Sequence, residues 1–175
     1  ETDLTENADH VIIQTPYVIC NGYMYDVLQG ISDHAKLQIV LNAVEKGSNP
    51  WGCTDYLNQK KKILETGADV YELMNDYPVH TKAVLINDRL SVVGSYNLDM
   101  RSTYLDTELM LVIDSEKLSQ QIHKTESDYM EKSKEVLANG QETEGAKYQG
   151  KVLNRKKKLY YGVLRMIIRP LRQLL

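Results

Sequence analysis

The stretch that decides the fold is Val79–Ser102, VHTKAVLINDRLSVVGSYNLDMRS. Ala83-Val84-Leu85-Ile86 and Leu90-Ser91-Val92-Val93 are apolar runs rich in β-branched residues, bounded by Asn87-Asp88-Arg89 and by Gly94-Ser95. That pattern predicts a hairpin, or two neighbouring strands, buried on at least one face. Polar side chains crowd the mouths of these strands. His80 and Lys82 are two apart and therefore project to one side of a pleated chain, as do Ser95 and Asn97. Running up one strand and down the next returns the second pair beside the first. An imidazole, an ammonium, a hydroxyl and a carboxamide at one spot suit an anionic phosphoryl group, since cationic and amide donors stabilise charge on its oxygens. The imidazole is equipped to move a proton or to attack phosphorus.

His-x-Lys, a hydrophobic strand, a polar turn, a second strand and then Gly-Ser-x-Asn resembles the repeated catalytic motif of the phospholipase D superfamily. Continued through Asp99, Arg101 and Glu108, it is similar to the second such motif of a cardiolipin synthase. The resemblance reaches upstream through Val11–Ile19 and Leu37–Leu73 and covers most of the chain. It departs at one position. The family carries an Asp after four intervening residues beyond the Lys, where this chain has Asn87, followed by Asp88. In the family that aspartate supports the motif. Asn keeps the hydrogen bonds and loses the charge, which predicts a weakened site. Asp88 is the neighbouring substitute, although adjacent strand residues face opposite ways.

The resemblance implies an α/β fold, a mixed β-sheet flanked by helices on both faces, with a phosphohistidine intermediate and no metal or other cofactor. It implies catalytic roles for His80, Lys82, Asn97 and Glu108, a substrate-binding role for Ser95, and motif support from Asn87 and Asp88. Superfamily enzymes build one site from two motifs, and here His-x-Lys and Gly-Ser-x-Asn each occur once. The chain is therefore expected to pair with a first-motif half of a parent protein, or with a second copy of itself. The implied substrate is a phospholipid such as phosphatidylglycerol. A phosphodiesterase or nuclease of the same superfamily and a noncatalytic membrane-binding module are the alternatives.

Elsewhere the chain supports this architecture. Val11–Gln14 is a short buried strand ended by Thr15-Pro16-Tyr17. Tyr23–Ser32 carries Met24, Val27, Leu28 and Ile31 at helical spacing, and Leu37–Leu41 is the next strand. Strand, helix, strand predicts a parallel pair with a crossover helix. Asn42–Gly52 reads as a loop after a strand's carboxyl end, where α/β proteins place ligands, with Trp51 either at its entrance or packed on the domain. Thr54 or Asp55 is expected to cap a helix running to about Thr66, with Gly67 as its stop. Lys60-Lys61-Lys62 reads as a solvated helix face. Ala68–Leu73 and Thr107–Ile113 are further strands. A long helix is predicted from Asp114 or Ser115 to about Asn139, with His123 on its surface, followed by a polar loop over Gln141–Gly150. Asp99 and Arg101 read as a local salt bridge. Glu108, an acid opening an apolar run, calls for a partner, and the resemblance assigns it to orienting a catalytic histidine.

The charge is uneven. Residues 151–175 hold eight of the 21 basic residues and no acid, leaving residues 1–150 with 13 basic against 24 acidic residues, a net of -11. A body that acidic is a poor footprint for nucleic acid, and none is expected as a partner. The division is thus a catalytic half-domain over 1–150 and a basic amphipathic helix over 151–175. That helix would either lie in the headgroup plane of an anionic membrane or pack on the domain, with Pro170 bending or ending it. Cys20 and Cys53 have no metal-ligand spacing and read as buried reduced thiols. They favour the cytoplasmic face of a membrane. No signal peptide and no long apolar run is visible, and Glu1–Asp9 reads as the polar lead-in to a fragment of a longer chain.

Overall fold

The computed structural model describes residues 2–150 and 154–172. Its elements are α1 (Thr2–Thr5), β1 (His10–Gln14), β2 (Val18–Ile19), α2 (Gly22–Ser32), β3 (Lys36–Asn42), α3 (Pro50–Glu65), β4 (Asp69–Leu73), β5 (Ala83–Ile86), β6 (Leu90–Gly94), β7 (Leu98–Asp99), α4 (Met100–Tyr104), β8 (Met110–Asp114), α5 (Glu116–Glu131), β9 (Ser133–Val136), β10 (Glu142–Glu144) and α6 (Arg155–Leu171). Eight strands form one mixed sheet in the order β10-β9-β4-β3-β1-β5-β6-β8, and β2 pairs with β7 in a small second sheet. β1, β3 and β4 are parallel, joined by crossovers through α2 and α3. β5 and β6 form an antiparallel hairpin against β1, with β8 at the edge. The expected mixed sheet with helices on both faces is present.

The core divides by face. Val11, Ile13, Leu37, Ile39 and Val70 pack with Met24 and Leu28 of α2 and Tyr56 and Ile63 of α3. Ile12, Val40, Tyr71 and Leu85 point the other way, under Ile122, Tyr129 and Met130 of α5. This is the two-sided burial that makes strands read as continuous apolar runs.

Three predicted elements change. α3 begins at Pro50, not at Thr54 or Asp55. Asn49 Oδ1 accepts from Trp51 N at 3.1 Å and Gly52 N at 3.2 Å, so the cap is an Asn followed by Pro at the first helical position. Thr54 and Asp55 are instead buried interior positions, and exposed Trp51 lies in the helix's first turn. The long predicted helix stops at Glu131. Ser133–Val136 pairs antiparallel with β4, and Glu142–Glu144 pairs with β9 across a turn containing Gly140 at φ +83°. The polar tract read as helix surface and loop is an ion-paired sheet margin. Lys134 lies 3.2 Å from Glu72 and 3.4 Å from Glu142. Lys60 joins it, 2.8 Å from Glu72, and is not part of a solvated face.

In the tail, α6 docks on α3 through buried Leu164 and Ile168. Arg172 clamps the fully buried Asp55 at 2.7 and 3.0 Å, and Tyr161 Oη donates to the Val44 carbonyl. Leu159, Tyr160, Val163, Met166 and Ile167 stay exposed. Pro170 lies in the last turn of α6, where helix termination was expected. The remaining tail residues, 151–153 and 173–175, lie outside the described residues. No described helix is long and apolar enough to cross a membrane.

One buried acid sets a pH dependence. Glu126 of α5 is 2% exposed, and neither carboxylate oxygen has a hydrogen-bond partner among the described residues. Burial pushes its pKa up to about 7. The folded state keeps this proton where the unfolded chain has lost it. The contribution to stability is complete below the unfolded pKa and is lost as pH rises through about 7. The urea midpoint is expected to fall between about pH 5 and about pH 8, with Glu126→Gln flattening that fall. An equally steep fall in the variant would place the titrating group elsewhere.

Candidate functional site

The hairpin closes one residue beyond its strands. Gly94 N donates to the Lys82 carbonyl at 3.2 Å, which sets Lys82 across from Gly94-Ser95. Gly94 is needed because a Cβ there would run into the Leu109 carbonyl as β8 crosses. Ser95 N then donates to Leu109 O and Leu109 N to Ser95 Oγ, both at 3.0 Å. Ser95 Oγ donates in turn to Glu108 Oε2 in a very short hydrogen bond.

Lys82 Nζ lies 2.5 Å from His80 Nδ1 and donates to the His80 carbonyl at 3.0 Å. Partial burial, then the Lys82 ammonium, lower the pKa of His80, which favours the neutral ring. Partial burial also lowers Lys82, while Glu108 and then Asp99 act in the opposite direction. His80 is exposed and Lys82 half-buried, so both are open to a ligand.

A neighbouring cleft is lined by Tyr17, Ile19, Asn49, Asn97, Asp99 and Arg101. Asn97 sits in it with Nδ2 3.4 Å from Ser102 Oγ and with Oδ1 buried and without a partner among the described residues. Its amide is turned toward α4. Asp99 does not bridge to Arg101. It is 2% exposed and caps α4 by accepting from Ser102 N at 2.6 Å, while Arg101 pairs with Asp106 at 3.1 Å. Burial raises Asp99 above the usual carboxylate value, against the pull of the Ser102 hydrogen bonds. Tyr17 is raised by burial and by Asp99.

Asn42, which sequence reasoning treated only as a loop start, positions the histidine strand. Its carboxamide takes Val79 N and reaches Val79 O, each at 2.8 Å, and donates to Pro16 O at 3.1 Å. The residue before His80 is thus held on both backbone groups by a buried side chain. Thr15 does similar work, accepting from Leu98 N at 3.2 Å. A polar residue closing an apolar strand, as Asn42 closes KLQIVLN, was the available signal.

The hairpin brings together His80, Lys82, Ser95 and Glu108, with Asn97 in the adjoining cleft. Glu108 bonds Ser95, not His80. Asn87 and Asp88 are elsewhere. They occupy the turn at the opposite end of β5, roughly 15 Å along the strand from Lys82. Asn87 has φ +50°, a conformation Asn tolerates, and its Oδ1 accepts from Asp9 N at 2.9 Å and His10 N at 3.1 Å. Those bonds need an oxygen and no charge, so Asn can make them at this position. Asp88 is 83% exposed and faces His10 and His123. His123 is therefore not an isolated surface residue, and its Nε2 lies 2.9 Å from the Asn87 carbonyl.

Residues 2–128 match the family described as "Cardiolipin synthase, PLD-like domain". The chain belongs to that family. It is 30% identical over 150 residues to cardiolipin synthase A of Proteus mirabilis, covering 83% of this chain and 29% of that protein. To cardiolipin synthase A of Serratia proteamaculans it is 28% identical over 152 residues, covering 84% and 29%. The chain thus spans under a third of these relatives' length. Among solved structures it resembles phosphatidylserine synthase of Haemophilus influenzae, with TM-score 0.70 and 16% identity over 99% of this chain and 44% of that one. It also resembles Nuc, a phospholipase D family member from Salmonella typhimurium, with TM-score 0.62 and 14% identity over 77% and 86%. The structural matches show a phospholipase D-like fold, and the family model and curated relatives show membership of the cardiolipin synthase-like family.

The position of Asn87 generates a test. Asn87→Ala loses two hydrogen bonds and a tolerant left-handed residue, and is expected to cost about 2 kcal/mol by urea unfolding. Asn87→Asp, the residue of the family pattern, keeps the accepting oxygen and is expected to cost clearly less in the same measurement. An equal loss would show that the amide itself is needed at this turn.

Proposed function

We propose that this chain supplies the second half of the active site of a phosphatidyltransferase of the cardiolipin synthase type, acting on phosphatidylglycerol or a similar phospholipid. The observation that carries the reading is the Lys82 Nζ contact with His80 Nδ1, across from Ser95 on a closed hairpin. The histidine of the other half attacks phosphorus, and the bond from phosphorus to the leaving alcohol breaks. His80 gives that alcohol its proton, leaving a phosphatidyl-histidine. The acceptor alcohol then loses its proton to His80 and attacks phosphorus, freeing the first histidine.

His80 must gain a proton before it can act as the acid. An anionic phosphodiester beside Lys82 offsets the ammonium that lowers its pKa and so favours the imidazolium. Lys82 and a reoriented Asn97 neutralise the nonbridging oxygens, and Ser95 holds Glu108 at the rim. The other carboxylate oxygen of Glu108 would then orient the partner histidine. Neither metal nor cofactor is required by this scheme.

The other half would have somewhere to sit. Edge strand β8 exposes Leu111 and Val112, and Leu105 and Leu109 are exposed beside it. A first-motif half of the same parent chain, or a second copy, would cover that surface. α6 presents Leu159, Tyr160, Val163, Met166 and Ile167 beside the basic run 155–158, a combination suited to an anionic headgroup layer. Cys20 and Cys53 are free and buried, in keeping with a reducing compartment and the cytoplasmic face.

The test is lipid product analysis by mass spectrometry, with full-length protein and phosphatidylglycerol vesicles. Transfer to a second phosphatidylglycerol yields cardiolipin and glycerol, whereas transfer to water yields phosphatidic acid and glycerol. Cardiolipin is expected. His80→Ala should lower turnover about 100- to 10,000-fold, and Lys82→Ala by on the order of 100-fold. Retained turnover in His80→Ala would remove its role, and phosphatidic acid alone would replace the transferase with a hydrolase. No turnover by the wild-type protein would favour a noncatalytic membrane module.

A further inference from the structure

The end of the sheet opposite His80 carries a cluster that the phosphoryl chemistry does not use. His10 opens β1, Asp88 lies in the β5–β6 turn and His123 is on α5. One nitrogen from each imidazole and one carboxylate oxygen all lie within 4.8 Å of one another. Asp88 Oδ1 is 3.7 Å from His10 Nε2 and 3.8 Å from His123 Nε2, nearly equidistant from both. The rings are 5.7 Å apart between centroids and tilted by 58°, so they are not stacked face to face.

We propose that His10, Asp88 and His123 bind a divalent transition-metal ion, zinc foremost. Donors about 2.0–2.2 Å from a tetrahedral ion stand roughly 3.4 Å apart. The carboxylate arms, at 3.7 and 3.8 Å, need only a few tenths of an ångström to reach this, and the imidazole pair starts from within 4.8 Å. The side chains have room to move, with His10 33% and Asp88 83% exposed. Two imidazoles and a carboxylate select zinc, cobalt, nickel or copper over calcium and magnesium, which take oxygen donors.

The surrounding backbone holds the donors in place. Asn87 Oδ1 binds the backbone nitrogens of Asp9 and His10, which fixes the start of β1 against the turn that carries Asp88. His123 Nε2 lies 2.9 Å from the Asn87 carbonyl. On metal binding that nitrogen exchanges its hydrogen bond for the ion, and the ring carries its proton on Nδ1. The freed carbonyl oxygen is a fourth donor in reach, with water as the alternative. An ion there would clip the first strand, the motif hairpin and α5 together at positions far apart in the chain. Because it sits at the other end of β5 from Lys82, its role is structural and separate from the phosphoryl site.

The experiment is titration of the untagged chain with cobalt(II), followed by visible absorption, with zinc(II) as competitor. One cobalt per chain is expected, with the intense bands of a low-coordinate site, displaced by one equivalent of zinc. His10→Gln, His123→Gln and Asp88→Asn should each weaken binding by roughly tenfold or more, at least the scale seen for outer-shell partners. His80→Gln should bind as the wild type does. Because Asp88 is so exposed, its variant keeps the result readable if a histidine variant misfolds. Absence of a stoichiometric cobalt spectrum would overturn the proposal. So would unchanged affinity in Asp88→Asn, or binding that is lost with His80→Gln instead.

Discussion

Antiparallel pairing of Ala83–Ile86 with Leu90–Gly94 governs the layout of the molecule. A hairpin returns its second strand to the end where the first began, so whatever precedes β5 must meet whatever follows β6. Lys82 therefore faces Gly94-Ser95, and the crossing of β8 brings Glu108 to Ser95. The constraint holds only if the register is kept. A slip of one residue would turn the apolar set of both strands to the wrong faces. Register is pinned at the turn by Asn87 in its left-handed conformation and at the mouth by the Gly94–Lys82 hydrogen bond.

The two ends of the sheet are built differently. At one end, Asn42 and Thr15 tie the segments leading into His80 and Asn97 to the parallel strands, where burial makes their hydrogen bonds hard to replace with water. His80 there is exposed and Lys82 half-buried, and Asn97 Oδ1 lacks a partner among the described residues. Unsatisfied polar capacity at a cleft is expected where a ligand completes the network. At the other end, the Asn87 turn gathers His10, Asp88 and His123. The family's aspartate position belongs to this end, which is why an Asn there is structurally sufficient.

Much of the fold was legible because its signals are local. The buried strands are short runs of β-branched residues, and α2 is capped by Asn21 and has clear periodicity. Reading failed where tertiary pairing overrode pattern. SKEV after α5 has charged residues that suit a helix surface, yet Lys134 and Glu135 find cross-strand partners in Glu72 and Tyr71. The Asn49-Pro50 cap was readable and was overlooked in favour of a Thr-Asp pair that lies inside the helix. In the candidate site, His80, Lys82, Ser95 and Glu108 were visible as a spaced motif. Asp99 was misread because its partner is a backbone nitrogen. His123 was misread because its neighbours are 35 or more residues away, and a linear scan carries no trace of them.

In the proposed reaction this hairpin mouth holds a tetrahedral phosphodiester. Crystals soaked with tungstate test it most directly. The account predicts an oxyanion within hydrogen-bond reach of both His80 and Lys82, with the Asn97 carboxamide turned from Ser102 toward it. A pocket that stays empty at saturating tungstate, or an anion bound away from His80 and Lys82, would contradict it.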